Sequence, residues 1–152
     1  WRGQCYWGFT DNTKNRQTSF QLSENSNKTI VVSRYEDPSV RTKLENQGFK
    51  LIEVAGAGYK ILAVAVGLAD AYVLSRGSTY KWDTCGPQAI LKSLGGGVLD
   101  FQKFTTNLEI NDIDLKYPEN ETNHANRGGL IAFRDKGTLD VISKCLALST
   151  KL

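Results

Sequence analysis

The sequence predicts an α/β fold with a mainly parallel sheet flanked by helices. Three observations carry the prediction. Short β-branched or apolar runs alternate with helix-length amphipathic segments along most of the chain. Glycines and an Asp-Pro step punctuate the junctions between them. The longest apolar run, Ile61 to Ala69, is broken by Gly67, which suits a buried helix and falls short of a membrane span. With 152 residues, 40% of them hydrophobic and 23% charged, the chain has a globular composition and the length to bury one ordinary core.

Cys5 to Phe9 and Thr18 to Leu22 read as two strands joined by a polar loop. Thr29 to Ser33 is a β-branched run that suits a buried strand. Pro38 opens a helix to about Gln47, with Asp37 as its cap and Gly48 as its stop. Phe49 to Val54 is the next strand, and the glycine turn Ala55 to Gly58 leads into a helix from Tyr59 to about Leu68. Ala71 to Ser75 is a strand. Asp83 or Thr84 caps the following helix, which Gly95 closes. Val98 to Phe101 and Gly129 to Phe133 are strands, residues 107 to 127 read as polar loop, and Thr138 to Leu148 is a final amphipathic helix. In such a sheet, ligands gather beyond the carboxyl ends of the strands. That singles out the loops from Arg34 to Asp37, Ala55 to Lys60 and Ser75 to Asp83.

The net charge of +3 accommodates an anionic small molecule without calling for nucleic acid. Three widely spaced cysteines, Cys5, Cys85 and Cys145, fit free and mostly buried thiols in a reducing cytoplasm better than a disulfide framework. The single histidine, His124, lies in a polar stretch, so no Cys–His nucleophile is indicated. Neither a membrane partner nor a nucleic-acid partner is expected.

Chemistry concentrates around Asp83. A carboxylate at a helix start accepts orphan backbone N–H groups, which is the commoner role. It also reaches a hard cation such as Mg²⁺, and the helix N-terminus behind it favours phosphate. Trp82 beside it is expected to be buried packing that fixes its orientation. Ala55-Gly56-Ala57-Gly58-Tyr59-Lys60 fails the nucleotide-loop pattern, since the spacing is short and Ile61 stands where Ser or Thr is required. Its glycines still permit close backbone approach to an anion, with Lys60 as a point charge; the alternative is a tight turn with a solvated lysine. Asp70 reads as structural.

Trp82-Asp83-Thr84-Cys85, Ala89-Ile90-Leu91 and the triplet Gly95-Gly96-Gly97 resemble the second signature of the lithium-sensitive, magnesium-dependent phosphomonoesterases, the inositol monophosphatase superfamily. Ala55 to Lys60 and Gly67-Leu68-Ala69-Asp70-Ala71-Tyr72-Val73 fit the same superfamily. Gln4 to Gly8 and Ala125 to Arg134 are most similar to its inositol polyphosphate 1-phosphatase branch.

That resemblance implies a layered sandwich of the sugar-phosphatase type that hydrolyses the 1-phosphate of inositol bisphosphates or trisphosphates in phosphatidylinositol signalling. Asp83 is implied as a catalytic Mg²⁺ ligand. Lys60 is implied to hold the substrate's non-reacting phosphate, with Gly56, Ala57 and Gly58 beside it. Ser33, Arg34 and Glu36 would line the inositol pocket. Where the family commonly has Ser-x-Ser-Glu-Lys, Tyr35 and Asp37 replace the second Ser and the Lys, and Arg34 is the residue able to compensate with a bidentate grip on phosphate. The family's other metal ligands and its water-activating residues belong to an N-terminal half that nothing here matches. Glu36-Asp37-Pro38-Ser39 comes nearest and lacks the second Asp. The chain starts at Trp1 and contains no methionine. It is therefore expected to be the C-terminal part of a longer enzyme, inactive alone and partnered by the N-terminal half. Residues 1–28 would be end strands of that half's sheet and residues 29–152 the C-terminal α/β domain. Two rival readings stand: a 3′(2′),5′-bisphosphate nucleotidase acting on 3′-phosphoadenosine phosphate, and a non-catalytic phosphate-binding or docking module.

Overall fold

Four strands of the main sheet are buried along their whole length, and in three of them the side chains alternate between two cores. The computed structural model describes residues 3, 5–11, 16–19, 28–106, 113–120 and 122–146. In chain order these form β1 (Gly8–Thr10), β2 (Arg16–Thr18), β3 (Thr29–Val32), α1 (Pro38–Asn46), β4 (Lys50–Glu53), α2 (Ala57–Ala65), β5 (Ala71–Leu74), α3 (Lys81–Ser93), β6 (Gly97–Leu99), α4 (Phe101–Thr105), β7 (Leu130–Phe133) and α5 (Lys136–Leu146).

Ile30, Val32, Ala71, Val73 and Ile131 face one core with Val40 and Leu44 of α1 and Ile142 of α5. Val31, Tyr72, Leu74, Leu130 and Ala132 face the other, against Ile61 and Val64 of α2 and Leu91 of α3. The period-2 alternation of a strand, applied to continuous apolar runs, thus requires helices on both sides. The α/β layering follows from it.

The five-stranded sheet has the order β4-β3-β5-β7-β6. β3 pairs parallel with β4 and with β5, whereas β7 is antiparallel to both β5 and β6. The sheet is therefore mixed, with β7 running against four like-directed strands, where the sequence predicts a mainly parallel one. The connection after β6 returns to the end at which that strand finished: Phe101 and Gln102 N–H donate to the Gly129 and Gly128 carbonyls at 3.5 and 3.0 Å. Here Asp100 caps the short α4, its Oδ1 accepting Lys103 N–H at 2.9 Å, and Phe101 starts that helix instead of ending a strand. β7 then starts from the end at which β6 finished.

β1 and β2 pair antiparallel outside this sheet and lie against α3, where Gly8 approaches so closely that an added Cβ would sit 2.0 Å from Ser93 Oγ. The predicted second strand reaches Leu22, but residues 20 to 22 lie outside the described residues. Expected and observed boundaries agree for α1, whose N-cap Asp37 accepts Ser39 N–H at 2.8 Å ahead of Pro38. α2 begins two residues earlier than predicted and ends at Ala65. Asp70 is structural, its Oδ2 accepting Thr29 N–H at 2.8 Å and so tying the start of β5 to β3. The cysteines are free, but Cys5 and Cys85 are exposed, contrary to the expectation of burial. No helix among the described residues is long and apolar enough to cross a membrane.

Gly129, just ahead of β7, has φ +73°, and a Cβ there would lie 2.2 Å from the Leu74 carbonyl oxygen. Gly129→Ala is expected to lose at least about 1–2 kcal/mol of unfolding free energy. Urea unfolding of the variant beside the parent chain checks this, and equal stabilities contradict the described β5–β7 approach.

Candidate functional site

The carboxyl ends of β3, β4 and β5 and the amino ends of α2 and α3 meet on one side of the sheet. Ser33, Arg34 and Tyr35 after β3, Glu53 to Gly56 at the end of β4, and Lys60 in the first turns of α2 enclose a groove of about 500 Å³. Gly56 turns the chain into α2 with φ +80°, a conformation that side chains disfavour.

Lys60 forms the floor of the groove. It is only 5% exposed. Its Nζ donates to the Val54 carbonyl oxygen at 3.0 Å and sits 4.8 Å from the centre of the Tyr72 ring. Burial pushes its pKa below the usual lysine value, and the Glu36 charge pulls it partly back. Glu36 is itself buried. Its carboxylate accepts Asp37 N–H at 2.9 Å and Ser75 N–H at 3.2 Å, and it is also bonded to the Ser75 hydroxyl. It therefore joins the loop after β3 to the loop after β5, with its oxygens committed to protein donors.

Asp83 lies in the first turn of α3, but it is not the cap. Tyr80 holds that position, and Asp83 Oδ2 reaches back to accept Tyr80 N–H at 2.9 Å. The helix starts earlier than predicted because this reciprocal arrangement places the acid at the third helical residue. Pro87, four residues on, has no N–H, so the Asp83 carbonyl lacks its helical donor. Gly58 packs alongside, its Cβ position 3.8 Å from that carbonyl oxygen. Tyr72 registers both acids: burial first, then the charges of Glu36 and Asp83, raise its pKa well above the ordinary phenol range. Lys60 thus sits over a buried ring whose ionisation both acids oppose.

The grouping differs in part from the sequence reading. Ser33, Arg34, Gly56 and Lys60 share the groove. Arg34 reaches over Tyr35, its guanidinium carbon 6.0 Å from the ring centre. Gly58 instead lines an apolar crevice with Leu62, Pro87 and Ile90, and Ala57 is half-buried at the start of α2. Trp82 is not buried packing. It is 63% exposed and stacks on Tyr80 with ring centres 4.6 Å apart, while His124 tilts against it at 5.9 Å. Residues two apart on a helix lie about 200° apart, so the turn that directs Thr84 inward directs Trp82 to solvent.

Beneath Asp83 lies a buried polar network that the sequence reading did not single out. Asn126 Nδ2 donates to Thr79 Oγ1 at 3.1 Å and to Thr84 Oγ1 at 3.2 Å. The Tyr117 hydroxyl is bonded to Thr84 Oγ1 and to Gln88 Oε1, and Gln88 Nε2 donates to the Leu115 carbonyl at 3.2 Å. Burial, chiefly, raises the Tyr117 pKa to about 12. Among the described residues no three His, Cys, Asp or Glu side chains converge in a way that could hold a metal. Asp83 fits the role of one oxygen ligand to a hard cation and supplies no complete shell.

The profile of the inositol monophosphatase family matches residues 1–132. The chain belongs to the inositol monophosphatase family. Mouse inositol polyphosphate 1-phosphatase is 34% identical over 165 residues, an alignment covering 92% of this chain and 42% of the mouse protein. Rat 3′(2′),5′-bisphosphate nucleotidase 1 is 37% identical over 82 residues, covering 54% of this chain and 23% of its own. The chain thus spans less than half the length of these curated relatives. CysQ from Bacteroides thetaiotaomicron, described as a bacterial member of the family, superposes with a TM-score of 0.56 at 21% identity, covering 79% of this chain and 42% of that one. A Pyrococcus horikoshii protein with similarities to inositol-1 monophosphatase gives 0.59 at 17%, covering 90% and 51%. The family's α/β fold is shared.

Because the Glu36 charge supports the lysine ammonium against desolvation, Glu36→Gln is expected to lower the Lys60 pKa further. A side-chain NMR titration of Lys60 measures it; an unchanged or higher midpoint contradicts the described proximity.

Proposed function

We propose that this member of a phosphatase family contributes the phosphate-binding side of a Mg²⁺-dependent site that hydrolyses the 1-phosphate of inositol bisphosphates or trisphosphates. The observation that carries this reading is the placement of a desolvated lysine at the floor of a groove rimmed by Arg34, Ser33 and the Gly56 turn, with the Asp83 helix end beside it. Lys60 holds the phosphate that does not react, and a buried ammonium is worth more there than a solvated one. Arg34, free of the sheet, grips phosphate oxygens from the rim. Ser33 and Glu36 shape the inositol pocket, Glu36 through the loops it joins. Asp83 provides one ligand to Mg²⁺, whose remaining ligands come from outside the described residues. The bound ion would supply a Lewis acid for the phosphoryl group. The β1–β2 hairpin, which lies on α3 and outside the five-stranded sheet, supports assigning residues 1–28 to a second sheet. Three free cysteines support a cytoplasmic location.

The breadth of the inositol polyphosphate 1-phosphatase likeness, 92% of the chain against 54% for the bisphosphate nucleotidase, favours an inositol substrate. One observation favours the nucleotide: the exposed Tyr80–Trp82 stack beside Asp83 offers a flat surface to a base. In an enzyme form with a complete ligand set, kcat/KM for inositol 1,4-bisphosphate is expected to exceed that for 3′-phosphoadenosine 5′-phosphate, and the reverse order overturns the inositol reading.

Two further outcomes are expected. With no group of three metal-ligating side chains among the described residues, the purified 152-residue chain should release no phosphate with Mg²⁺ present; turnover above the buffer blank would place the active site elsewhere. Lys60→Ala should cost a bisphosphate about 1.5–3 kcal/mol, the worth of a charged hydrogen bond, or roughly ten- to more than a hundred-fold in kcat/KM. An inositol monophosphate, which lacks the second phosphate, should lose little. Equal losses on both substrates would remove the second-phosphate role.

A further inference from the structure

We infer that Thr84, Asn126 and Tyr117 are positioning residues that aim the Asp83 carboxylate, so that a segment remote in sequence sets how strongly the candidate site holds a divalent cation. The inference rests on the reading of Asp83 as a metal ligand. Asp83 has one described side-chain bond, from Tyr80 N–H, and Pro87 leaves its carbonyl without a helical donor. The helix ladder therefore lacks one bond at the residue that carries the carboxylate.

What fixes the turn comes from elsewhere in the chain. Thr84, the next residue, is 0% exposed, and its Oγ1 meets Asn126 Nδ2 at 3.2 Å, Tyr117 Oη at 3.1 Å and the Lys81 carbonyl oxygen at 3.2 Å. Thr84 Oγ1 accepts from Asn126, and because the Tyr117 proton goes to Gln88 Oε1, the single Thr84 proton serves Tyr117 Oη and the Lys81 and Tyr80 carbonyls in turn. Asn126 lies 42 residues away in sequence and Tyr117 lies 33. The same segment also engages the backbone of the turn: Asn126 N–H donates to the Thr79 carbonyl at 2.8 Å, and Lys81 N–H donates to the His124 carbonyl at 2.7 Å. Successive helix residues are about 100° apart, so locking Thr84 inward sets the direction in which Asp83 leaves the helix. A ligand displaced by a fraction of an ångström binds its ion less well, and partners that orient a ligand typically matter about 10–100-fold in metal affinity.

The test is a Mn²⁺ titration of a ¹⁵N-labelled enzyme form with a complete ligand set, read as paramagnetic broadening of individual amide signals. In the unmodified chain, broadening should include Asp83 and its neighbours. Thr84→Val keeps the shape and removes the hydroxyl; the Mn²⁺ needed for half-broadening at Asp83 should rise roughly tenfold, with broadening near Asp37 and Asp100 unchanged. Thr84→Ser should restore the original midpoint. Tyr117→Phe deletes one oxygen from a part-buried site, should shift the midpoint the same way, and serves if Thr84→Val fails to fold. A network that only stabilises the fold would lower the unfolding midpoint and leave the Asp83 titration where it was, which overturns the inference. Asp83→Asn separates the two levels: a midpoint at residue 83 unchanged in that variant removes the metal-ligand reading and the inference with it. A raised midpoint in Asp83→Asn, with no shift in Thr84→Val, removes the inference alone.

Discussion

Burial of both faces of β3, β5 and β7 is the constraint from which the site follows. Every residue of these strands is buried, and successive side chains enter different cores. A sheet that apolar on both sides needs helices on each, and the helices between like-directed strands must begin near strand ends. The amino ends of α2 and α3 are therefore brought beside the loops that leave β3, β4 and β5. The groove, its lysine and the Asp83 turn are consequences of a packing requirement before they are features of a site.

Electrostatics near the groove has a single centre. Tyr72 points from β5 into the core of α2 and α3, with the Lys60 ammonium over its ring and the charges of Glu36 and Asp83 raising its pKa. Removing an ammonium from water is costly unless a counter-charge and hydrogen bonds offset it. Here the Val54 carbonyl, the ring face and Glu36 share that task. Glu36 is in turn held by the backbone and hydroxyl of Ser75, so the charge balance of the groove depends on two loops staying together.

Much of this was legible in the sequence, for physical reasons. Pro38 behind Asp37 and the glycines at positions 48 and 95 act through local backbone geometry, which a sequence displays directly. The candidate groove was legible because Ser33, Arg34, Gly56 and Lys60 follow strands and precede helices. What was not legible depends on distant partners. The direction of β7 is decided by how residues 100–129 return, and no local signal encodes it. Trp82 was expected inside because tryptophan usually is, yet its exposure is fixed by which residue of the turn Asn126 and Tyr117 capture. The polar stretch from 107 to 127 carries no periodicity, so Asn126 and Tyr117 were visible only as loop residues.

The reversed direction of β7 has a consequence for how such a fold can change over time. In a wholly parallel sheet, the segment leading into a strand lies at the end opposite the ligand. Here the segment ahead of Leu130 lies on the ligand side, because β7 enters the sheet where its neighbours leave it. Change within residues 113–128 therefore acts on the surroundings of the α3 amino end through Tyr117 and Asn126. The same stretch is anchored to β6, where Leu115 N–H donates to the Val98 carbonyl, so the fold lets this loop reshape the ligand side only around fixed tethers.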